Sequence, residues 1–161
     1  MDTDNVRRMV HEVGYKTIRD QYMERSHTLD DKIYWTYEFI DFMMLVMITD
    51  ILDYQKSIAE ELESYQLHKE SDVFMMKMIV ACKSFSLKLI HIGSNDDDGS
   101  TIVERIELMD NMAIITRRLV EEADKRGING DCHDHVVNAL NEFDGNINRL
   151  SNLLTLKLSQ N

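Results

Sequence analysis

The chain has 161 residues and a formal net charge of −11, with 43% hydrophobic and 29% charged residues. This hydrophobic content argues against intrinsic disorder, and the length suits one domain with a buried core. The negative charge disfavours binding to nucleic acid or to anionic lipid, because both require clustered lysine and arginine. The sequence has no proline and only six glycines, which favours long helices over a β fold with many turns. We therefore predict an all-α protein.

Cysteine content and hydropathy indicate a protein of the cytoplasm. Cys82 and Cys132 do not form a CxxC motif, and no apolar leader follows the N-terminus, so we expect free thiols in a reducing compartment. The longest apolar run covers residues 39–52 and includes Asp41 and Asp50. It is shorter than the ~20 apolar residues that a bilayer span needs, so we predict no membrane segment.

The first predicted helix starts at the polar residues 2–4, which are typical of a helix N-terminus. Apolar side chains then recur at helical spacing as far as Tyr22, namely Val6, Met9, Val10, Val13, Ile18 and Tyr22. This spacing predicts one helix with a single buried face.

The second predicted helix is the longest. Thr28 and Asp31 resemble a capping box with Asp in place of Glu, and no helix-breaking residue follows between Leu29 and about Leu67. Such a helix is roughly 58 Å long at 1.5 Å per residue. We expect that it either extends past the bundle or bends or breaks near residues 53–57, where the apolar density falls.

Three further helices are predicted. The third runs from Ser71 to about Gly93, and the fourth runs from Ser100 to Gly127 after a polar loop over residues 94–99. Asp131 is the predicted cap of the fifth. In that helix apolar residues alternate spacings of four and three, as in a coiled-coil seam: Val136, Leu140, Phe143, Ile147, Leu150 and Leu154.

No linker or internal repeat interrupts the chain. The prediction is a single-domain bundle of about five helices over residues 1–161, with the long second helix at its centre.

The second predicted helix also concentrates the charge. Between Asp30 and Glu70, ten acidic residues stand against three lysines, which accounts for −7 of the total. At 100° per residue, five carboxylates lie along one line with Asp41 at its edge, namely Asp31, Glu38, Asp53, Glu60 and Glu63. We predict that four of them bind a partner: Glu38, Asp53, Glu60 and Glu63.

Residues 42–48 of this helix are apolar in every direction. A helix that is apolar all round is normally buried all round. Two arrangements satisfy that requirement: the neighbouring helices of the same chain surround it, or the bundle covers one side and a second subunit covers the other. The second arrangement predicts a homodimer.

Several carboxylates stand three residues apart, a spacing that lets two of them share a Mg²⁺ ion. Glu60 with Glu63 forms an ExxE motif, and Glu107 with Asp110 forms an ExxD motif. This order resembles the all-α nucleotide pyrophosphohydrolases, and the resemblance implies Mg²⁺ held by these four residues against a nucleoside triphosphate. Here residues 64–106 separate the two motifs, a spacing of 43 residues that is longer than usual in that family.

The segment from Asp131 to His135 gathers five potential metal ligands. A structural zinc site using Cys132 and His135 needs two more ligands, for which His68, Cys82 and His91 are the candidates. Capping by Asp131 and a favourable charge on Asp134 in the first turn explain the acids without a metal. Both interpretations stay open at this point.

The hypothesis that follows is a protein of the inhibitor, immunity or adaptor type, which acts by protein–protein interaction. We expect a homodimer without a cofactor that binds a protein with a basic surface and neither nucleic acid nor membrane. The alternative is the Mg²⁺-dependent nucleotide pyrophosphohydrolase.

Overall fold

The structure is a computed structural model that describes residues 3–64, 70–94 and 101–160. These residues are 90% helical and include no strand, which confirms the all-α prediction. They form six helices rather than about five: α1 (Thr3–Val13), α2 (Tyr15–Met23), α3 (Leu29–Ser64), α4 (Glu70–Ser94), α5 (Ile102–Lys125) and α6 (His133–Ser159).

The additional helix arises because Gly14 divides the first predicted helix into α1 and α2. Gly14 has a φ of 92°, which lies outside the helical region and which L side chains rarely adopt. Its N–H still donates to the carbonyl of Val10 at 2.8 Å and so completes the last turn of α1. The apolar spacing continues across this break, and Val10, Tyr15 and Ile18 are all buried.

The predicted capping box at the start of α3 is present. The Asp31 N–H donates to Oγ1 of Thr28 at 3.1 Å, and the Asp31 carboxylate accepts the N–H of His27 at 3.2 Å. In a capping box the carboxylate accepts the N–H of the cap residue itself. Here the Asp31 carboxylate accepts the N–H of His27, the residue before the cap. From Leu29 to Ser64 the helix is continuous over 36 residues, so a break near residues 53–57, one of the predicted alternatives, is absent. The predicted end near Leu67 lies outside the described residues.

Most of the centre of α3 is buried within this chain. Five of the seven residues from 42 to 48 are buried: Met43, Met44, Val46, Met47 and Ile48. Phe42 is half-buried, whereas Leu45 remains 58% exposed. Of the two arrangements predicted for this segment, cover by the same chain accounts for the burial without a second subunit.

The described chain divides into two compact units. Unit 1 comprises Met1–Met47 and Asn138–Asn161, and unit 2 comprises Ile48–Val137. Helices α3 and α6 each contribute residues to both units. The single domain over residues 1–161 stays a prediction, and each unit is described below by itself.

In unit 1 an aromatic cluster joins α2 to the first half of α3. The Tyr22 ring lies 5.6 Å from that of Phe39 and 6.1 Å from that of Trp35, both edge to face. The Arg25 guanidinium stacks 4.9 Å from the Trp35 ring centroid, a favourable cation–π geometry. An ion pair between Arg19 and Glu142 at 3.6 Å links α2 to α6.

In unit 2, α4 and α5 pack against each other, and α5 ends where the sequence predicts. Gly127 adopts a φ of 72°. The N–H of Ile128 donates to the Ala123 carbonyl at 2.9 Å, and that of Gly127 donates to the Asp124 carbonyl at 3.1 Å. This pair of bonds is a Schellman motif. The guanidinium of Arg126 then bonds the buried carboxylate of Asp72, which ties the end of α5 to the start of α4.

Helix α6 begins at His133 rather than directly after Asp131, so Cys132 is the residue that precedes it. The predicted seam is buried at Val136, Leu140, Phe143 and Leu150, whereas Leu154 is 36% exposed. Within the described part of the chain, no helix combines the length and the apolarity needed to cross a bilayer. The predicted loop over residues 94–99 falls almost wholly on residues that the structure does not describe.

Candidate interaction surfaces

The last part of α3 has one buried face and one acidic face. In unit 2 this helix buries apolar side chains at spacings of three and four: Ile51, Tyr54, Ile58 and Leu62. This spacing turns the other side of the helix outward. Three of the four predicted partner-binding residues lie there, and Asp53, Glu60 and Glu63 are all exposed.

The fourth predicted binding residue, Glu38, belongs to unit 1 and is half-buried, as is Asp41 at the edge of the predicted line. Burial raises the pKa of the Tyr22 hydroxyl; the charge of Arg25 lowers that pKa, and the charges of Glu38 and Asp41 raise it further. Within the aromatic cluster of unit 1, the charge of Glu38 therefore affects the Tyr22 hydroxyl. The structure brings together Asp53, Glu60 and Glu63, and Glu38 is described apart from them.

The carboxylates of the ExxE and ExxD motifs are all exposed, on α3 (Glu60 and Glu63) and on α5 (Glu107 and Asp110). Among residues 3–64, 70–94 and 101–160, no three or more His, Cys, Asp or Glu side chains are grouped so that they could hold a metal ion. The four carboxylates accordingly do not form such a group. The Mg²⁺-dependent activity stays an untested alternative.

Glu107 lines an open groove instead. The groove has a volume of about 460 Å³ and lies between α4 and α5, lined by Lys88, His91, Ile92, Glu104, Glu107, Leu108 and Asn111. It combines the carboxylates of Glu104 and Glu107 with Lys88 and His91. Mg²⁺ prefers oxygen ligands, and a neighbouring lysine opposes its binding by repulsion.

In the segment from Asp131 to His135, the structure shows a histidine held between two carboxylates. His133 Nδ1 lies 3.0 Å from Oδ1 of Asp134, and Nε2 lies 3.1 Å from Oδ1 of Asp124 at the end of α5. A carboxylate only accepts hydrogen bonds, so both contacts are hydrogen bonds only when both ring nitrogens carry a proton. The hydrogen bond with Asp134 and the charge of Asp124 raise the pKa of His133, while burial opposes them.

The same segment is also attached to α3. The Asp131 N–H donates to Oγ of Ser57 at 2.7 Å, and the Ser57 hydroxyl donates to the Tyr54 carbonyl at 2.8 Å. Cys132 has a φ of 63° and Gly130 a φ of 70°, so the turn is left-handed on both sides of Asp131. These contacts give the backbone N–H of Asp131 and the side chains of His133 and Asp134 a structural role at the start of α6, and within the described part of the chain no cap by the Asp131 carboxylate is seen. His68, one of the candidate zinc ligands, lies outside the described residues.

The sequence prediction missed exposed apolar side chains on α4 and α5. Val80 is 62% exposed, Leu87 is 69% exposed and Ile114 is 58% exposed, and Val73 and Val103 are also exposed. Exposed apolar residues that gather on one surface mark interaction sites more often than isolated ones do. On each helix these residues share a line with others spaced alternately by four and three, namely Val73, Lys77, Val80, Ser84 and Leu87 on α4, and Val103, Glu107, Asp110 and Ile114 on α5.

Comparison with known proteins yields no relative: no family model, no curated protein and no solved structure matches this chain. The class that its fold and surfaces define is an all-α protein with an exposed acidic face on its longest helix.

Proposed function

We propose that this protein acts by binding another protein with a basic surface, as an inhibitor, immunity protein or adaptor does. The observation that carries the proposal is the exposure of Asp53, Glu60 and Glu63 on one face of α3, opposite the side chains that α3 buries. Glu38 completes the proposed set in unit 1. A homodimer located in the cytoplasm is part of the same proposal.

The mechanism is electrostatic complementarity between the acidic face and a cationic partner. An excess of one sign of charge speeds association and selects the partner, while apolar contacts contribute most of the affinity. Exposed charges are screened by salt, with a Debye length of about 8 Å at physiological ionic strength. The affinity should therefore fall as ionic strength rises.

The test begins with the immobilised wild-type chain, which captures a partner at low ionic strength. The partner is then purified and titrated against the Glu60→Lys/Glu63→Lys variant. Asp53 is left unchanged because it makes a further interaction within the chain. We expect the dissociation constant to rise by about tenfold or more, which corresponds to ~1.4 kcal/mol.

The matched control is Glu12→Lys/Glu24→Lys, which changes two exposed acids, one in α1 and one directly after α2, and alters the net charge by the same amount. The control should bind as the wild type does. Equal affinities for the two double variants would refute the acidic face of α3 as the binding surface.

The alternative enzyme is tested separately by incubating the protein with nucleoside triphosphates and Mg²⁺ or Mn²⁺. Metal-dependent release of pyrophosphate that the Glu63→Gln substitution abolishes would establish the alternative. In that activity Glu60, Glu63, Glu107 and Asp110 would hold the metal, and a water molecule activated by Mg²⁺ would be the nucleophile.

A further inference from the structure

We propose that the outer face of α4 and α5 is the surface on which a second copy of this chain docks, with α4 of each copy lying on α5 of the other. The proposal rests on the homodimer proposed above and gives it an interface distinct from the acidic face of α3, and it concerns residues of unit 2 only. Its basis is the pairing of exposed apolar residues with charges of opposite sign on the two helices.

The exposed apolar residues of this face lie on one line along each helix, and on α5 the carboxylates of Glu107 and Asp110 stand between Val103 and Ile114. At 100° per residue, the line from Val73 to Leu87 stays within about 40° of one direction, and so does the line from Val103 to Ile114. Alternating spacings of four and three are the pattern by which helices pack side by side. In this chain both lines point away from the buried side chains, such as Met75 and Cys82 on α4 and Met112 and Thr116 on α5. They are unused packing surfaces.

The charges on the two helices are complementary. The exposed charged residues in the middle of α4 are all lysines, namely Lys77, Lys83 and Lys88. The exposed charged residues in the first half of α5 are all acidic, namely Glu104, Glu107 and Asp110. Against a copy of itself, α4 would meet lysines on a second α4 and carboxylates on a second α5. Electrostatics therefore favours α4 on α5.

A two-fold rotation axis produces that arrangement, and no part of the chain outside this face has to take part. An isologous interface uses the same patch on both subunits, and rotation about an axis parallel to the helices places α4 over α5 twice. The patch is also large enough. Helices of 25 and 24 residues are about 36 Å long, and two of them side by side, each about 10 Å wide, present ~700 Å². Stable interfaces bury about 600–1,000 Å² per partner, and the patch falls within that range.

The experiment uses two charge-reversal variants of the full chain. One carries Lys83→Glu and Lys88→Glu on α4, and the other carries Glu107→Lys and Asp110→Lys on α5. Sedimentation equilibrium over a wide concentration range gives the dimer dissociation constant of each. Either variant alone places like charges at both contacts, and we expect its dissociation constant to rise by about a hundredfold, equivalent to ~2.7 kcal/mol.

Mixing the two variants in equal amounts discriminates between explanations. In the mixed dimer the reversed α4 faces the reversed α5, and the two unchanged helices face each other, so opposite charges meet at both contacts. We expect mixing to restore the dimer to near wild-type affinity. A folding defect in either variant would persist in the mixture, and circular dichroism of each variant alone checks for it.

The matched controls are Lys16→Glu/Lys32→Glu and Glu12→Lys/Glu24→Lys, which reverse exposed charges of unit 1 and should leave the dimer intact. A wild-type chain that stays monomeric overturns the proposal. A dimer that neither variant weakens places the interface elsewhere, and a mixture that stays monomeric refutes the contact of α4 with α5. The Glu60→Lys/Glu63→Lys variant should still dimerise, which separates this proposal from the acidic face of α3.

Discussion

Replacing Gly130 by alanine should destabilise unit 2 through two separable effects. The first is the backbone: Gly130 has a φ of 70°, and a left-handed conformation costs an L residue roughly 1–2 kcal/mol. The second is steric, because a Cβ at Gly130 would lie 2.8 Å from Cε2 of Tyr54 and 2.9 Å from Cδ1 of Ile58. Both side chains are fully buried, so they have little room to move, and overpacking of this kind costs about 1–3 kcal/mol. The total loss should be about 2–5 kcal/mol.

Gly127→Ala supplies the control. Gly127 has a φ of 72°, but no atom lies within 4 Å of its ideal Cβ position. It therefore incurs the backbone cost alone, and the change in the entropy of the unfolded chain is common to both variants. Urea unfolding followed by circular dichroism should show Gly130→Ala less stable than Gly127→Ala by ~1–3 kcal/mol. Thermal unfolding should show a Tm that is lower by ~2–12 °C, at about 2–4 °C per kcal/mol. Equal losses in the two variants would show that the contact with Tyr54 and Ile58 does not constrain the turn.

Two further predictions concern the start of α6 and the centre of α3. Because the folded-state pKa of His133 is raised, the stabilisation by Asp124 and Asp134 is complete below the ordinary imidazole pKa of about 6.5 and is lost as the pH rises through the raised value. The urea midpoint of the wild type should therefore exceed that of His133→Gln more at pH 5.5 than at pH 8, and a constant difference would refute the ion pairs. At the centre of α3, Met47→Ala should cost about 2–5 kcal/mol of unfolding free energy, whereas Leu45→Ala should change it by less than about 0.5 kcal/mol. Comparable losses at the two positions would mean that Leu45 is covered in solution.

The helices themselves were largely predictable from local chemistry. The start of α3 follows from the hydroxyl and carboxylate of Thr28 and Asp31, and the end of α5 follows from Gly127 in a left-handed conformation. The break at Gly14 was missed because a single glycine within an apolar pattern is compatible with a continuous helix. Only the sign of its φ distinguishes the two cases, and the pattern of side chains does not encode it.

The surfaces were predictable to different degrees. The exposure of Asp53, Glu60 and Glu63 agrees with the carboxylate line because charged residues rarely face a core. The pairing of His133 with Asp124 was not predictable, since it depends on the left-handed turn that folds the start of α6 back onto α5. The exposed apolar line on α4 was missed for another reason. Helical spacing assigns Met75 to the buried face of this helix, but it does not predict that the opposite, exposed face also carries large apolar residues such as Val80.

This difference between α3 and α4 changes where evidence for a dimer should be sought. From the sequence, the case for a second subunit depended on residues 42–48 of α3, where every direction is apolar. The chain itself buries most of those residues, and only Leu45 is substantially exposed there; one exposed leucine is ordinary for a protein surface. On α4 and α5, by contrast, several large apolar side chains remain exposed next to charges of opposite sign. If the protein is a homodimer, substitutions at Val80 and Ile114 should weaken it, and substitution at Leu45 should not.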